Sequence, residues 1–176
     1  MAVTFVVETG ARVAGANSYL DDADADVYFE NHGAPAGWTG AQLVKQEALR
    51  MATQYLDVIY VERWKGDRVD RDQALDWPRW SVRDADHYLR ESDTLPQEIK
   101  DATAEMALRF LTETVAGREL VPDIAEPGNP NVDILKVGPI TIHEEFGGGR
   151  SQIRRFRLVD RILQDVLKPV WSIELA

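Results

Sequence analysis

The segment 96–117 most constrains the fold, because its apolar residues cover two sides of a helix. Pro96 suits the first helical position, and the polar arc that remains is narrow. A helix that is apolar on two sides must be covered on both. We therefore predict a mainly α-helical domain with this helix at the centre of its core. At about 100° per residue, the two stripes are Ile99, Ala102, Met106 and Phe110, and Ala104, Leu108, Leu111 and Val115.

Two more helices are expected on the N-terminal side of this one. The first spans 22–32 and the second spans 41–60. Asp21 and Thr39 are their candidate N-caps, because Asp and Thr side chains accept hydrogen bonds from the first free amides of a helix. Near the C-terminus, a short helix over 158–167 ends before a proline. The sequence thus predicts about three core helices and a short C-terminal helix.

The remaining segments predict a β-hairpin and two extended arms. Residues on both sides of Gly138-Pro139 alternate in strand fashion and predict a hairpin at about 132–146. The first residues alternate only weakly, and three glycines at 147–149 form a flexible joint. The predicted divisions are an extended N-terminal arm at 1–17, a helical core domain at 18–146 and a jointed C-terminal docking tail at 147–176.

Composition excludes several classes of partner and site. Lys and Arg together number 20 and Asp and Glu number 30, which gives a formal net charge of −10. A protein that wraps duplex DNA needs the opposite balance to neutralise phosphates. The chain has no cysteine, which excludes disulfides, thiolate nucleophiles, iron–sulfur clusters and cysteine-based zinc sites. Because we find no secretory signal and no apolar run that could span a bilayer, we expect cytoplasmic synthesis and no membrane partner.

No group of residues predicts catalysis. His32, His87 and His143 are far apart and show no metal-ligand spacing. The acidic run at 21–26 lacks the glycine and the glutamate of a calcium loop, so charge at a helix N-terminus explains it better. The glycines at 147–149 lack the spacing of a phosphate-binding loop. We therefore expect no enzymatic activity, no cofactor and no metal.

The segment 61–95 is rich in tryptophan and charge, and it supports two interpretations. Buried tryptophans can anchor an ordered loop, in which Pro78 prevents a regular helix. Alternatively, exposed tryptophans can stack on the bases of single-stranded nucleic acid. Six interleaved acids, at 67, 70, 72, 76, 84 and 86, should repel phosphate and favour the first interpretation. The predicted loop anchors are Trp64, Trp77, Pro78 and Trp80.

An arginine cluster near the C-terminus departs from the acidic average. Between residues 150 and 161, five arginines stand against one acid, Asp160. The cluster can be a solvated face. We favour docking on an acidic or apolar partner surface, because the cluster follows the glycine joint and precedes an apolar stretch. The candidate docking residues are Arg150, Arg154, Arg155, Phe156, Arg157, Arg161 and Trp171.

Several short motifs occur in an order that resembles a family of tailed-phage and prophage proteins. They are Val7-Glu8-Thr9-Gly10, Ala16-Asn17-Ser18-Tyr19, Ala25-Asp26-Val27-Tyr28-Phe29, Trp38, the stretch 48–57, Trp64-Lys65-Gly66, Gln73-Ala74-Leu75-Asp76-Trp77-Pro78-Arg79, Pro96 with 102–107, and Val159-Asp160-Arg161-Ile162-Leu163. The stretch 73–79 is the most distinctive. The resemblance covers nearly the whole chain and is weakest between 147 and 157.

The resemblance implies one of two functions. The family is labelled DnaT-like and single-stranded-DNA-binding, which implies a primosome-like protein. It is also similar to the head–tail connector (adaptor) proteins of long-tailed phages. A connector would form a ring of twelve copies in the virion neck, after synthesis in the bacterial host cytoplasm. Its partners would be the portal protein, a tail-terminator or stopper (nozzle) protein, and the genomic DNA that passes through the ring.

The charge of the chain favours the connector. An acidic channel wall discourages phosphate binding, so DNA can slide through it. A single-strand binder needs a basic groove with stacking aromatic residues, and only the arginine cluster is basic. The hypothesis is that the tail from Arg150 onward docks on the portal. We expect a deletion of residues 150–176 to abolish that docking and to leave the helical core folded.

Overall fold

The computed structural model describes residues 4–112, the backbone of two strands at 132–137 and 140–145, and residues 156–168. The structure is mainly α-helical, as the sequence predicts. The chain divides into two compact units. The first contains residues 4–112 and 158–168, and the second, within 121–157, contains the hairpin. In chain order the elements are α1 (Asp22–Asn31), α2 (Gln42–Tyr60), β1 (Asp67–Arg68), β2 (Arg79–Trp80), α3 (Gln97–Thr112), β3 (Val132–Val137), β4 (Ile140–Glu145) and α4 (Arg157–Ile162), followed by a 3-10 turn (Leu163–Asp165).

Helix α3 is the centre of the first unit, and it packs against α1, α2 and the 3-10 turn. The predicted stripe from Ile99 to Phe110 is buried, and so is Ala104 of the second stripe. Leu108 and Leu111 of that second stripe are only half-buried. The described helix ends at Thr112, so the part of the predicted helix at 113–117 lies outside the described residues.

The N-cap prediction is confirmed for α1 and wrong for α2. The Asp21 side chain accepts a hydrogen bond from the Ala23 amide at 2.9 Å. Helix α2 begins after Ala41, whose carbonyl accepts the amides of Val44 and Lys45. Thr39 cannot cap it, because the chain turns through Gly40 at a φ of +122° before the helix begins. None of the described helices is long and apolar enough to cross a bilayer.

The second unit contains the predicted hairpin. Strands β3 and β4 pair in antiparallel register, with Val132 opposite Glu145 and Val137 opposite Ile140. The two residues that join the strands, 138 and 139, lie outside the described part of the chain. The hairpin at 132–146 is therefore confirmed for its strands, which the alternating sequence pattern predicts.

The N-terminal arm folds back on the segment before α1. Glu8 donates its amide to the Ser18 carbonyl at 2.8 Å, and Val7 and Ser18 form a parallel bridge. The Glu8 carboxylate is almost fully buried, and it accepts the amides of Gly10, Arg12 and Val13 at 2.8–2.9 Å. A buried carboxylate needs such partners. Glu8 thus fixes the turn of the arm, which explains why this residue belongs to the first motif.

We expect Glu8→Gln to destabilise the first unit by about 2 kcal/mol. The substitution replaces one acceptor oxygen by an NH₂ group, which then faces a buried amide and leaves it unpaired. Urea denaturation measures the loss. The matched control is Glu30→Gln, the same chemical change at an exposed position of α1, which should stay within about 0.5 kcal/mol of the wild type. Equal stabilities for the two variants would contradict the structural role of Glu8.

Candidate functional site

The tryptophan-rich segment folds as an ordered loop around two buried indoles. Trp64 and Trp77 are fully buried, and their rings meet edge to face with centroids 5.8 Å apart. Pro78 is also buried, and its peptide bond with Trp77 is cis. Two buried indoles remove a large apolar area from water. In this conformation neither ring is accessible to a nucleic-acid base.

Trp80 does not anchor the loop, contrary to the sequence prediction. It lies in the two-residue strand β2, opposite Asp67 of β1, and 55% of its side chain is exposed. Side chains alternate between the two faces of a strand. Because of this alternation, the Trp80 ring faces solvent. The loop is therefore anchored by Trp64 and Trp77. The sequence could not show this, because the short β1–β2 ladder carries too few residues for a recognisable pattern.

The most distinctive motif, 73–79, consists of residues that build this loop. The Gln73 amide donates to the carbonyls of Leu75 and Pro78 at 2.8 and 3.0 Å. The Arg79 guanidinium donates to the carbonyls of Lys65 and Gly66 at 2.9 and 2.7 Å. Gly66 has a φ of +64°, and a Cβ there would lie 2.1 Å from the Trp80 carbonyl oxygen. Gln73 and Arg79 of the motif therefore serve to hold the backbone of the loop in place.

A buried polar cluster connects α2, the segment before α1 and the tryptophan loop. The Tyr19 hydroxyl donates to the Asp57 carboxylate and accepts the Trp77 amide at 3.2 Å. Burial raises the pKa of Asp57 to about 7, and the charge of Asp76 acts in the same direction against the Tyr19 hydrogen bond. Burial, with the Asp57 charge, also raises the pKa of Tyr19. The sequence carries no pattern that predicts this cluster, because its residues come from segments distant along the chain.

Two depressions lie beside the exposed residues Gln54 and Val58 of α2. The apolar groove, as we name the first, has a volume of about 220 Å³. The second is a more polar cleft of about 360 Å³. Gln54 and Val58 line both depressions. The apolar groove is lined by Met51, Gln54, Tyr55, Val58 and Phe110. The polar cleft is lined by Ala16, Asn17, Arg50, Thr53, Gln54, Asp57, Val58, Ala74 and Leu75.

The described C-terminal segment, 158–168, is part of the first unit. The Lys65 amide donates to the Val166 carbonyl at 3.0 Å, and the Lys168 amide donates to the Arg63 carbonyl at 2.7 Å. Asp160 accepts the Tyr60 hydroxyl at 3.0 Å. These contacts correct the expectation that the core folds without residues 150–176, because the apolar stretch predicted to face a partner covers the protein's own core.

The predicted docking residues fall into three groups. Arg157 and Arg161 are exposed. Phe156 is fully buried, so its ring is not available to a partner in this conformation. Its sequence neighbours are arginines, and this is why the sequence predicts a docking role for it. The docking role of Arg157 and Arg161 stays a prediction. The predicted docking residues that lie outside the described residues are Arg150, Arg154, Arg155 and Trp171.

The histidines whose side chains are described show no catalytic arrangement. His32 stacks on Tyr28 with ring centroids 4.1 Å apart. His87 has a φ of +67° and is exposed in a turn. His143 lies in β4, where only the backbone is described. Across the described part of the chain, no group of three or more His, Asp or Glu side chains is arranged to hold a metal ion.

Comparison with known proteins shows the family of the chain. A family model described as "Putative DnaT-like ssDNA binding protein" matches residues 3–174. No curated protein matches, and no solved structure matches. The comparisons give no match to a head–tail connector, so that part of the resemblance stays a hypothesis. With nearly every residue of the sequence matched, the chain belongs to this DnaT-like family.

Proposed function

We propose that the protein is a structural virion protein, a head-to-tail adaptor without catalytic activity. Its copies form a ring beneath the portal, which extends the DNA channel and links the capsid to the tail. The resemblance implies twelve copies. Partners are the portal above, a tail-terminator or stopper (nozzle) protein below, and genomic DNA that passes through the lumen without sequence-specific contacts.

The burial of Trp64 and Trp77 is the main observation that favours this proposal over single-stranded-DNA binding. Base stacking needs exposed aromatic faces inside a basic groove. Two of the three candidate rings are buried against each other, and the chain carries a net charge of −10. The same charge suits an adaptor, since an acidic wall lets DNA move past it. The described surface exposes large apolar side chains instead, which suit protein contacts.

We expect the purified protein to bind a portal ring from the same phage. Cryo-electron microscopy of the mixture should show an added ring of density on the portal. Fluorescence anisotropy with a labelled single-stranded oligonucleotide, measured at low salt, supplies the control and should show no binding. Absence of the added ring, together with tight oligonucleotide binding that weakens as salt increases, would contradict the proposal.

Single-strand binding is the second candidate, and the family description and the exposed Trp80 ring favour it. If the protein binds an oligonucleotide, Trp80→Ala should weaken that binding roughly tenfold, because stacking on one base contributes about 1–3 kcal/mol. Tyr88→Ala is the matched control, since Tyr88 is an exposed aromatic residue in a neighbouring loop. An equal loss in both variants would argue against a stacking site at Trp80.

A further inference from the structure

Hydrogen bonds hold the backbone of the loop 83–90 in one conformation. Arg83 and Leu89 form an antiparallel bridge. One carboxylate oxygen of Asp84 accepts the amides of Asp86 and Tyr88 at 3.0 and 2.9 Å. The backbone at the tip of this loop is therefore ordered, although five consecutive side chains from 85 to 89 are exposed.

This ordered tip presents two large apolar side chains to solvent. The exposed fractions are 74% for Tyr88 and 62% for Leu89. Successive side chains of an extended segment point to opposite sides, so the tip is apolar on both of its faces. Burying such side chains against a partner removes their apolar area from water, which stabilises the contact. A preformed apolar projection of this kind is suited to insertion into a groove on a partner.

The apolar groove on α2 and α3 has the size and composition to receive it. A volume of about 220 Å³ is more than ten times the roughly 10–15 Å³ that a cavity needs to hold one water molecule. Its rim includes Val58, whose side chain is 66% exposed. The groove and the loop tip are separate surfaces of one unit. The Arg90–Glu98 ion pair fixes the loop at the start of α3, whereas Phe110 lies about 18 Å further along that helix.

The charges beside the two surfaces are complementary. Arg50 lies one turn before Gln54 on α2, so both side chains are on the same face of the helix. In the described part of the chain, Arg50 takes part in none of the ion pairs. Asp84 and the exposed Asp86 precede the apolar tip of the loop, and the Arg83 guanidinium donates to the His87 carbonyl at 2.7 Å. The exposed Asp86 beside the apolar tip and an arginine near the apolar groove favour each other across an interface.

We propose that Tyr88 and Leu89 of one copy insert into the apolar groove of a second copy, with Asp86 near Arg50 of that copy. The contact joins two different surfaces, so it is heterologous. Repeated head to tail, a heterologous contact closes into a ring when the rotation between neighbours allows it. This inference rests on the proposed adaptor function and names the contact between neighbouring subunits of its ring.

Two single-cysteine variants test the contact, because the chain itself has no cysteine. Val58→Cys marks the groove and Leu89→Cys marks the loop tip. The two purified variants are mixed in equal amounts, bound to the portal ring and treated with a short bis-maleimide. We expect covalent dimers from the mixture and none from either variant alone. The matched control mixes Leu89→Cys with Val27→Cys, which marks a comparably exposed apolar residue on α1, and should give no dimer.

The outcomes separate this contact from the proposed function. Rings seen by electron microscopy without dimers from the mixture would overturn the contact and leave the adaptor function intact. Dimers from Leu89→Cys alone would indicate a symmetric contact and would also overturn it. Absence of rings for the wild type would contradict the adaptor function. In that case, dimers that form only in the mixture of Val58→Cys and Leu89→Cys would still support the contact between copies, independently of the adaptor function.

Discussion

A chain that ends before Phe156 will not fold, whereas a chain that ends after Lys168 will fold cooperatively. Residues 158–168, which lie between these two ends, supply part of the core of the first unit. Removing them uncovers the surfaces of α2, α3 and the tryptophan loop that they bury. The fully or nearly fully buried side chains of the first unit that the shorter chain loses are Val159, Leu163, Val166 and Leu167.

The expected loss is as large as the whole stability of a domain. Each buried large apolar side chain contributes about 1.5–3 kcal/mol, and domains of this size are stable by only about 5–15 kcal/mol. The shorter chain also loses the backbone hydrogen bonds that Val166 and Lys168 make with the segment 63–65. It further leaves the buried Tyr60 hydroxyl without the Asp160 carboxylate.

Circular dichroism and thermal unfolding of the two truncated chains measure this difference. We expect no cooperative transition for the chain that ends at residue 155, and a cooperative transition for the chain that ends at Lys168. A folded short chain would contradict the packing of 158–168. The result also decides how portal binding is tested, because only the chain that ends at Lys168 both lacks Trp171 and is still folded.

The sequence predicts the helical core because periodicity reports burial directly. The stripe from Ile99 to Phe110 repeats at helical spacing and is buried, and the alternation around residues 138–139 forms the two paired strands. In both cases the pattern extends over several residues. It therefore outweighs the local preference of any single residue.

The sequence does not reveal which surface an apolar segment covers. Val159, Leu163 and Val166 occur at helical spacing after an arginine cluster, and this pattern fits docking on a partner as well as docking on the same chain. Burial against either surface removes the same apolar area from water. The buried Phe156 among arginines and the exposed Trp80 among tryptophans are similar cases. Each was assigned from its neighbours in sequence, whereas contacts distant in sequence determine its burial.

The stability of the wild type relative to Asp57→Asn will fall as pH rises from 4 to 8. Burial raises the pKa of Asp57 from 3.8 to about 7 in the folded protein, so the folded state holds this proton more tightly than the unfolded state. The stabilisation from proton binding is complete below the unfolded pKa, and it is lost as pH rises to and through about 7. The pKa difference corresponds to at most roughly 4 kcal/mol.

The amide that replaces the Asp57 carboxyl group in this variant does not titrate, so the variant lacks this pH dependence. Its oxygen still accepts the Tyr19 hydroxyl, which preserves the main contact of the cluster. Other carboxylates titrate in both proteins and cancel in the difference between them. Among these is Glu98, where burial acts to raise the pKa but the Arg90 hydrogen bonds, a backbone hydrogen bond and the Arg90 charge together lower it.

Urea denaturation of both proteins at pH 4, 5, 6, 7 and 8 gives the difference in unfolding free energy. We expect the wild type to lose up to roughly 4 kcal/mol relative to Asp57→Asn across this range, with the steepest change at about pH 5 to 6, between the unfolded and folded pKa values. Asp72→Asn, at an exposed position of the tryptophan loop, should show a constant difference. A constant difference for Asp57→Asn as well would mean that Asp57 ionises in the folded protein as it does in the unfolded chain, and that the Tyr19–Asp57 cluster is solvated.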